Sequence, residues 1–232
     1  FQRNEDRTVT VRQPIAPHRV IYGETRVGGI ISFIHTTDDN KNLHQLITIA
    51  GHEVSSIGQL YLDDTAVTVS SNSVTDTKYA GFVDVYTGVG TTSGDAALHS
   101  ALQTNSDSKW TSAHKQSDRA KIYTQFEFDQ DTFSGSLPNV TAVVQGRKVY
   151  DPRDASTAYS SNPALCIRDY LSNTEFGLGE PSSRINDTSF STAANVCDEN
   201  VSLTGGGTEK RYSCNGVFET SDTPKDVIKQ LL

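Results

Sequence analysis

His52 and Glu53 stand side by side, which begins a zinc-protease signature, but Ser56 occupies the place where the second histidine would complete it. That chemistry needs two imidazoles four residues apart beside a glutamate, so that one helix face brings both to a single metal ion. The run Gly90-Thr91-Thr92-Ser93-Gly94 comes close to a serine-hydrolase elbow. Its serine lies one position too late for the strained strand-to-helix turn that exposes the nucleophile. Asp38-Asp39-Asn40-Lys41-Asn42 and Asp129-Gln130-Asp131 are acidic enough to attract calcium. They lack the alternating ligands and fixed glycine of a calcium loop and are expected to be solvated turns. Gly205-Gly206-Gly207 has no Lys-Ser/Thr after it to hold a phosphate and reads as a flexible hairpin tip. His18, His35, His44, His52, His99 and His114 are scattered, with no pair at ligand spacing in a helix. Two carboxylates placed for glycoside cleavage would escape notice in a sequence, because their separation is a three-dimensional property. Asn139, Asn186 and Asn200 begin glycosylation acceptor triplets that a chain rich in Ser and Thr produces by chance. The expectation is therefore that this chain carries no catalytic, cofactor-binding or metal-ligating residue.

The elements that would position any such residues are mostly strands. Short β-branched runs occur at residues 8–11, 19–22, 30–34, 46–49, 52–54, 59–62, 65–69 and 82–86, with Pro14, Pro17, Gly28-Gly29, Gly51, Gly58 and Asp63-Asp64 between them. Their alternation predicts a meander whose sheets have one wet face. A helix is expected over residues 95–103, capped by Asp95, with Ala97, Leu98, Ala101 and Leu102 on one face against a sheet edge. Strands resume at 120–128 and at 140–144, the latter turning at Gln145-Gly146 into Lys148-Val149-Tyr150.

Beyond Asp151-Pro152 the texture changes. Asn162-Pro163 suits an N-cap and first helical position, and Ala164, Ile167, Arg168 and Leu171 recur at helical spacing up to Gly177. Asp187 is placed to cap a helix over 188–197, a hairpin follows from 201–203 to 211–214, and Asp222-Thr223-Pro224 opens a last helix. The chain thus reads as mainly β with some α, an α+β protein. Its first part, 1–150, is β-rich with a helical insertion near 95–103; its second, 151–232, is an α+β segment continuing into a truncated helix.

Composition narrows the functional classes. Hydrophobic residues make up 35% and charged residues 21% of 232, enough for a real core. No run approaches the roughly 18 apolar residues of a membrane span, and the polar start, Phe1-Gln2-Arg3-Asn4-Glu5-Asp6-Arg7, lacks a secretion signal. Without any Met, the chain is expected to begin inside a longer polypeptide. Twenty basic against 28 acidic residues give −8, which opposes a phosphate-gripping surface. Cys166, Cys197 and Cys214 are odd in number and widely spaced, and are expected to be buried free thiols.

Particular strings carry more than any pattern. Residues 11–23 (Val-Arg-Gln-Pro-Ile-Ala-Pro-His-Arg-Val-Ile-Tyr-Gly) with Val27-Gly28-Gly29, residues 137–141 through Gly146-Arg147 to Asp151-Pro152-Arg153, and residues 158–171 around Asn162-Pro163 carry one likeness. Phe176-Gly177-Leu178-Gly179, residues 195–199 and residues 211–216 extend it in the same order. These strings resemble the tail proteins of long-tailed bacteriophages, the family of the tip attachment protein J. The resemblance implies a β-barrel-based hub fold, assembled as a homotrimer on the tail axis at the distal tip of the virion, and no enzyme. Implied partners are the distal tail protein, the tape measure protein and other tail-tip proteins. A host surface receptor would be met through parts of the protein outside this fragment, and DNA only in transit. An acidic conduit wall would let that DNA slide without sticking. Two other classes stay open: an extracellular carbohydrate-binding or glycan-degrading β domain, favoured by surface Tyr and Trp110, and an adhesion module, favoured by a disulfide among the three cysteines.

Overall fold

A computed structural model describes residues 16–232 apart from 92, 94, 134 and 135. The strand expected at 8–11 and the first part of the string 11–23 lie outside the described residues. Sixteen strands and four α-helices are assigned among those described. In chain order the first nine strands are β1 (Arg19–Tyr22), β2 (Glu24–Val27), β3 (Ile30–Thr37), β4 (Asn42–Ala50), β5 (Ser56–Leu62), β6 (Thr65–Val67), β7 (Val69–Ser70), β8 (Ser73–Val74) and β9 (Val83–Gly88). Then come α1 (Ala96–Asn105), β10 (Ala120–Glu127), β11 (Val140–Gln145), β12 (Lys148–Asp151), β13 (Ser156–Tyr159), α2 (Pro163–Ser172) and α3 (Asp187–Cys197). The chain closes with β14 (Asn200–Ser202), β15 (Thr208–Lys210), β16 (Gly216–Glu219) and α4 (Pro224–Leu231).

The protein is α+β, as its sequence indicates, but no sheet among the described residues closes into a barrel. The largest sheets are open, with strand orders β3-β4-β10-β9-β8-β7 and β2-β11-β5-β6. Two compact units are present, one of residues 16 and 26–144 and the other of residues 17–25 and 145–232. A composition shift along the chain cannot reveal that β1 belongs with residues far downstream. It does so because it pairs antiparallel with β16, Val20 opposite Phe218.

In the first unit, β10 lies between β4 and β9, antiparallel to both, with Tyr123 opposite Leu46 on one side and Tyr86 on the other. The expected single wet face holds for β3, whose exposure alternates, but fails for β4 and β10, which are covered on both faces. The reason is α1. Instead of lying at the sheet edge, it packs on β9 and β10 in the middle, driving Leu98 and Leu102 against Leu46, Tyr123 and Trp110. Ala97, expected on that face, is exposed. Residues 52–54 are not a strand: His52 and Val54 are buried in a loop, Val54 N–H bonding the Val89 carbonyl.

In the second unit, β12 pairs with β13, a strand absent from the sequence reading, and not with β11, so the turn expected at 145–146 makes no hairpin. Gly146 instead crosses β1: its N–H bonds the Gly23 carbonyl at 2.8 Å and Arg147 N–H bonds Ile21 at 2.8 Å. A β-carbon on Gly146 would fall 2.2 Å from the Ile21 carbonyl oxygen, a distance no packing tolerates. Gly23, at φ 65°, leaves the same kind of room for the Cys214 carbonyl.

The helices of this unit begin as sequence chemistry dictates. The Asn162 side chain accepts from Ala164 N–H with Pro163 at the first turn, and Thr223 caps α4 from Asp226 N–H. Helix α2 stops at Ser172, short of Gly177. Helix α3 is capped by Asn186, not Asp187, which stands one residue inside. Together α2, α3 and α4 enclose a core of Val20, Tyr22, Cys166, Tyr170, Phe218 and Leu231, with other apolar side chains around them.

Candidate functional site

The residues singled out by type and spacing mostly take structural posts. Asp38, Asp39 and Asn40 form the left-handed turn joining β3 to β4, where Asp38 accepts from Asn42 Nδ2. Asp129 closes a turn by accepting from Thr132 N–H at 2.8 Å, and that amide holds its carboxyl below the usual range. Gly206 and Gly207, both at positive φ, make the tip of the β14–β15 hairpin. The Asn186 side chain is spent on its cap. Among the described residues, no group of three or more His, Cys, Asp and Glu converges as a metal site.

In the first unit a cleft of about 500 Å³ opens between α1 and the segment that follows it, lined by His99, Gln103, Trp110, Thr111, His114 and Lys115 among others. Its floor is tied down. The β4–β10 register shifts beside Lys121, where Ile49 of β4 is left without a partner between Ala50 opposite Ala120 and Thr48 opposite Lys121, and the Lys121 side chain is buried. There the ammonium, fully buried, meets Asp95 and also donates to the Gln116 carbonyl at 3.0 Å and the Arg119 carbonyl at 3.2 Å. Asp95 accepts in addition from Gly90 N–H at 3.0 Å. Asp95 therefore does not cap α1 with its side chain, because the buried ammonium claims it. Such a pair is stable only when further hydrogen bonds satisfy both charges, and here three acceptors meet the ammonium and each carboxylate oxygen has a donor.

Trp110 sits above this floor with 3% of its surface exposed. Its Nε1–H donates to His99 Nδ1 at 3.1 Å, its ring stacks on His99 at 5.9 Å, and Phe33 meets it edge-on at 5.4 Å. His99 also bonds the Lys115 backbone, and burial, followed by the nearby Lys121 charge, lowers its pKa. The imidazole is thus a neutral clamp between helix and loop. Trp110 offers no open face for a sugar to stack upon, whereas Tyr212 stands exposed on the surface of the second unit. His114 Nδ1 is engaged by Thr111 at 2.9 Å.

The second unit concentrates its charges in locks between elements. Asp169 accepts from Tyr22 Oη at 2.5 Å and from Arg147 Nε at 2.7 Å, while the Arg147 guanidinium lies 4.8 Å from the Phe176 ring. Burial, then the Asp169 charge, pushes the Tyr22 phenol far up, so it remains a donor. Arg168 forks onto Asp187 at 2.7 and 3.0 Å and covers the Tyr150 ring at 4.6 Å, holding the Asp187 carboxyl below its usual range. Arg153, beyond β12, spans Asp151 at 2.6 Å and Asp198 at 2.8 Å, joining the β12–β13 turn to the end of α3. Sequence reasoning missed Lys121 and Asp95 as a pair, since they stand 26 residues apart and nothing local to either marks the other. Arg168 did give a signal, a charge recurring on an otherwise apolar helical face.

No family model matches the chain. It is 28% identical over 122 residues to the tip attachment protein J of Escherichia phage SECphi27, a match covering 45% of this chain and 10% of that protein. The resemblance to phage tail proteins carried by the strings thus has a counterpart in a curated relative, of which the chain spans about a tenth. A solved chain from the virion of a native gene transfer agent particle is similar in fold, with a TM-score of 0.51 at 12% identity, over 99% of this chain and 51% of that one.

Proposed function

We propose that this chain is a structural part of a phage-type virion, the central hub or tip attachment protein at the distal end of a long tail, and that it does no bond-making chemistry. The similarity to a tip attachment protein J carries the reading. The work done by the residues of the likeness supports it. Tyr22, Gly23, Gly146, Arg147, Arg153, Asn162, Arg168 and Asp169 all fix backbone crossings, cap a helix or lock one element to another. Shape is what such residues preserve, and shape is what a ring of subunits needs. The hub assembles as a homotrimer against the distal tail and tape measure proteins, reaches a receptor through other parts of the polypeptide, and lets DNA pass along an acidic wall.

Negative-stain imaging of intact particles labelled with an antibody to this chain tests the assignment. Label confined to the distal tail tip is the expected result. Label on the capsid or along the tube, or particles that bind none while the chain is found free, overturns it.

A further inference from the structure

We propose that the cleft beside α1 binds a small hydroxylated carboxylate, the chemistry of a uronic or sialic acid. At about 500 Å³ it has the capacity of a small-molecule site. Its inner wall is already fixed. Trp110 is held by His99, Phe33 and His114, with ring centroids 5.9, 5.4 and 5.0 Å away, and Lys121 is tied to Asp95 beneath. A site whose walls need no ordering on binding loses less affinity to entropy.

Ser100 and Gln103 of α1, with Ser112, Lys115 and Ser117 of the segment after it, line this space, and their side chains have no hydrogen-bond or ion-pair partner among the described residues. Lys115 is therefore a cation without a counter-charge. The carboxylate that lines the same cleft, Asp95, is spent on Lys121. On a chain of net −8 the cleft thus presents an uncompensated positive charge, which favours an anion over a neutral ligand. The other open groups are hydroxyls and an amide, each able to donate and to accept. Bare phosphate would satisfy Lys115 and leave most of them to water, and a neutral sugar would do the reverse. A carboxylate and several hydroxyls on one small molecule answer both demands. Because Trp110 is 3% exposed, hydrogen bonds and one charge pair hold the ligand without stacking. The dissociation constant is accordingly expected on the order of 1 mM. This inference stands on the first unit alone and does not depend on the tail assignment.

The test titrates the isotope-labelled chain and follows its amide resonances, with methyl glucuronide, N-acetylneuraminic acid, methyl glucoside and inorganic phosphate as separate probes at millimolar concentration. Expected are saturable shifts centred on residues 95–117 with at least one of the two acids, larger than those produced by the glucoside or by phosphate. Lys115→Gln should weaken binding of that acid about tenfold while resonances away from the cleft keep their positions. Lys109→Gln, a neighbouring cation that does not line the cleft, should leave the affinity unchanged. No shift with either acid, shifts centred elsewhere, the glucoside or phosphate acting as strongly as the acids, or undiminished affinity in the Lys115 variant overturns the proposal.

Discussion

His44 shows how a single residue joins packing to pH. It is 1% exposed, with Thr37 Oγ1 and Tyr123 Oη each 2.9 Å from its ring nitrogens. Burial, followed by the neighbouring His35, lowers its pKa from 6.5. The folded chain then refuses a proton that the unfolded chain accepts. His44 and His99 both contribute stability that is complete above the unfolded value and is lost as pH falls through it. The thermal midpoint is expected to drop between about pH 7.5 and about pH 5.5, and His44→Gln should flatten that slope. An unchanged slope in the variant would show that other groups carry the effect.

At the scale of elements, Asn162 does two jobs with one side chain. Its Oδ1 caps α2 through Ala164 N–H, and its Nδ2 donates to the Ala194 carbonyl of α3 at 2.9 Å. Asn162→Ala removes a cap and leaves a buried carbonyl in α3 without that donor, at a cost of about 2 kcal/mol. Thr223→Ala, which strips an exposed cap from α4, should cost about 1 kcal/mol or less. Urea titration of both variants checks the order, and an Asn162 variant no weaker than the Thr223 one would mean that the α2–α3 tie contributes nothing. The Arg168–Asp187 fork belongs to the same design, because it joins α2 to the first turn of α3 from a second direction.

For the molecule as a whole, net charge bears on whether nucleic acid is held. A net −8 on 232 residues gives phosphates no counterion-release gain. Double-stranded DNA is expected to pass unretained by the purified protein at about 0.15 M salt in a filter-binding assay. Retention that weakens steeply with added salt would instead reveal a basic groove and sink the acidic-wall proposal.

Much of the local architecture was legible in the sequence. Strand β1, the Asn162-Pro163 start of α2, the Thr223 start of α4 and the glycine hairpin tip follow from rules that reach only a few residues along the chain, namely side-chain period, cap chemistry and permitted φ. The α+β class follows from the same local signals taken together. Only the tertiary structure decided that β11 and β12 part into different sheets, that β1 pairs with β16, that α1 covers the middle of its sheet and that Asp95 serves Lys121 instead of capping a helix. The physical reason is the same in each case. A backbone amide or a buried charge takes whichever partner folding brings within about 3 Å, and that partner stands elsewhere in the sequence.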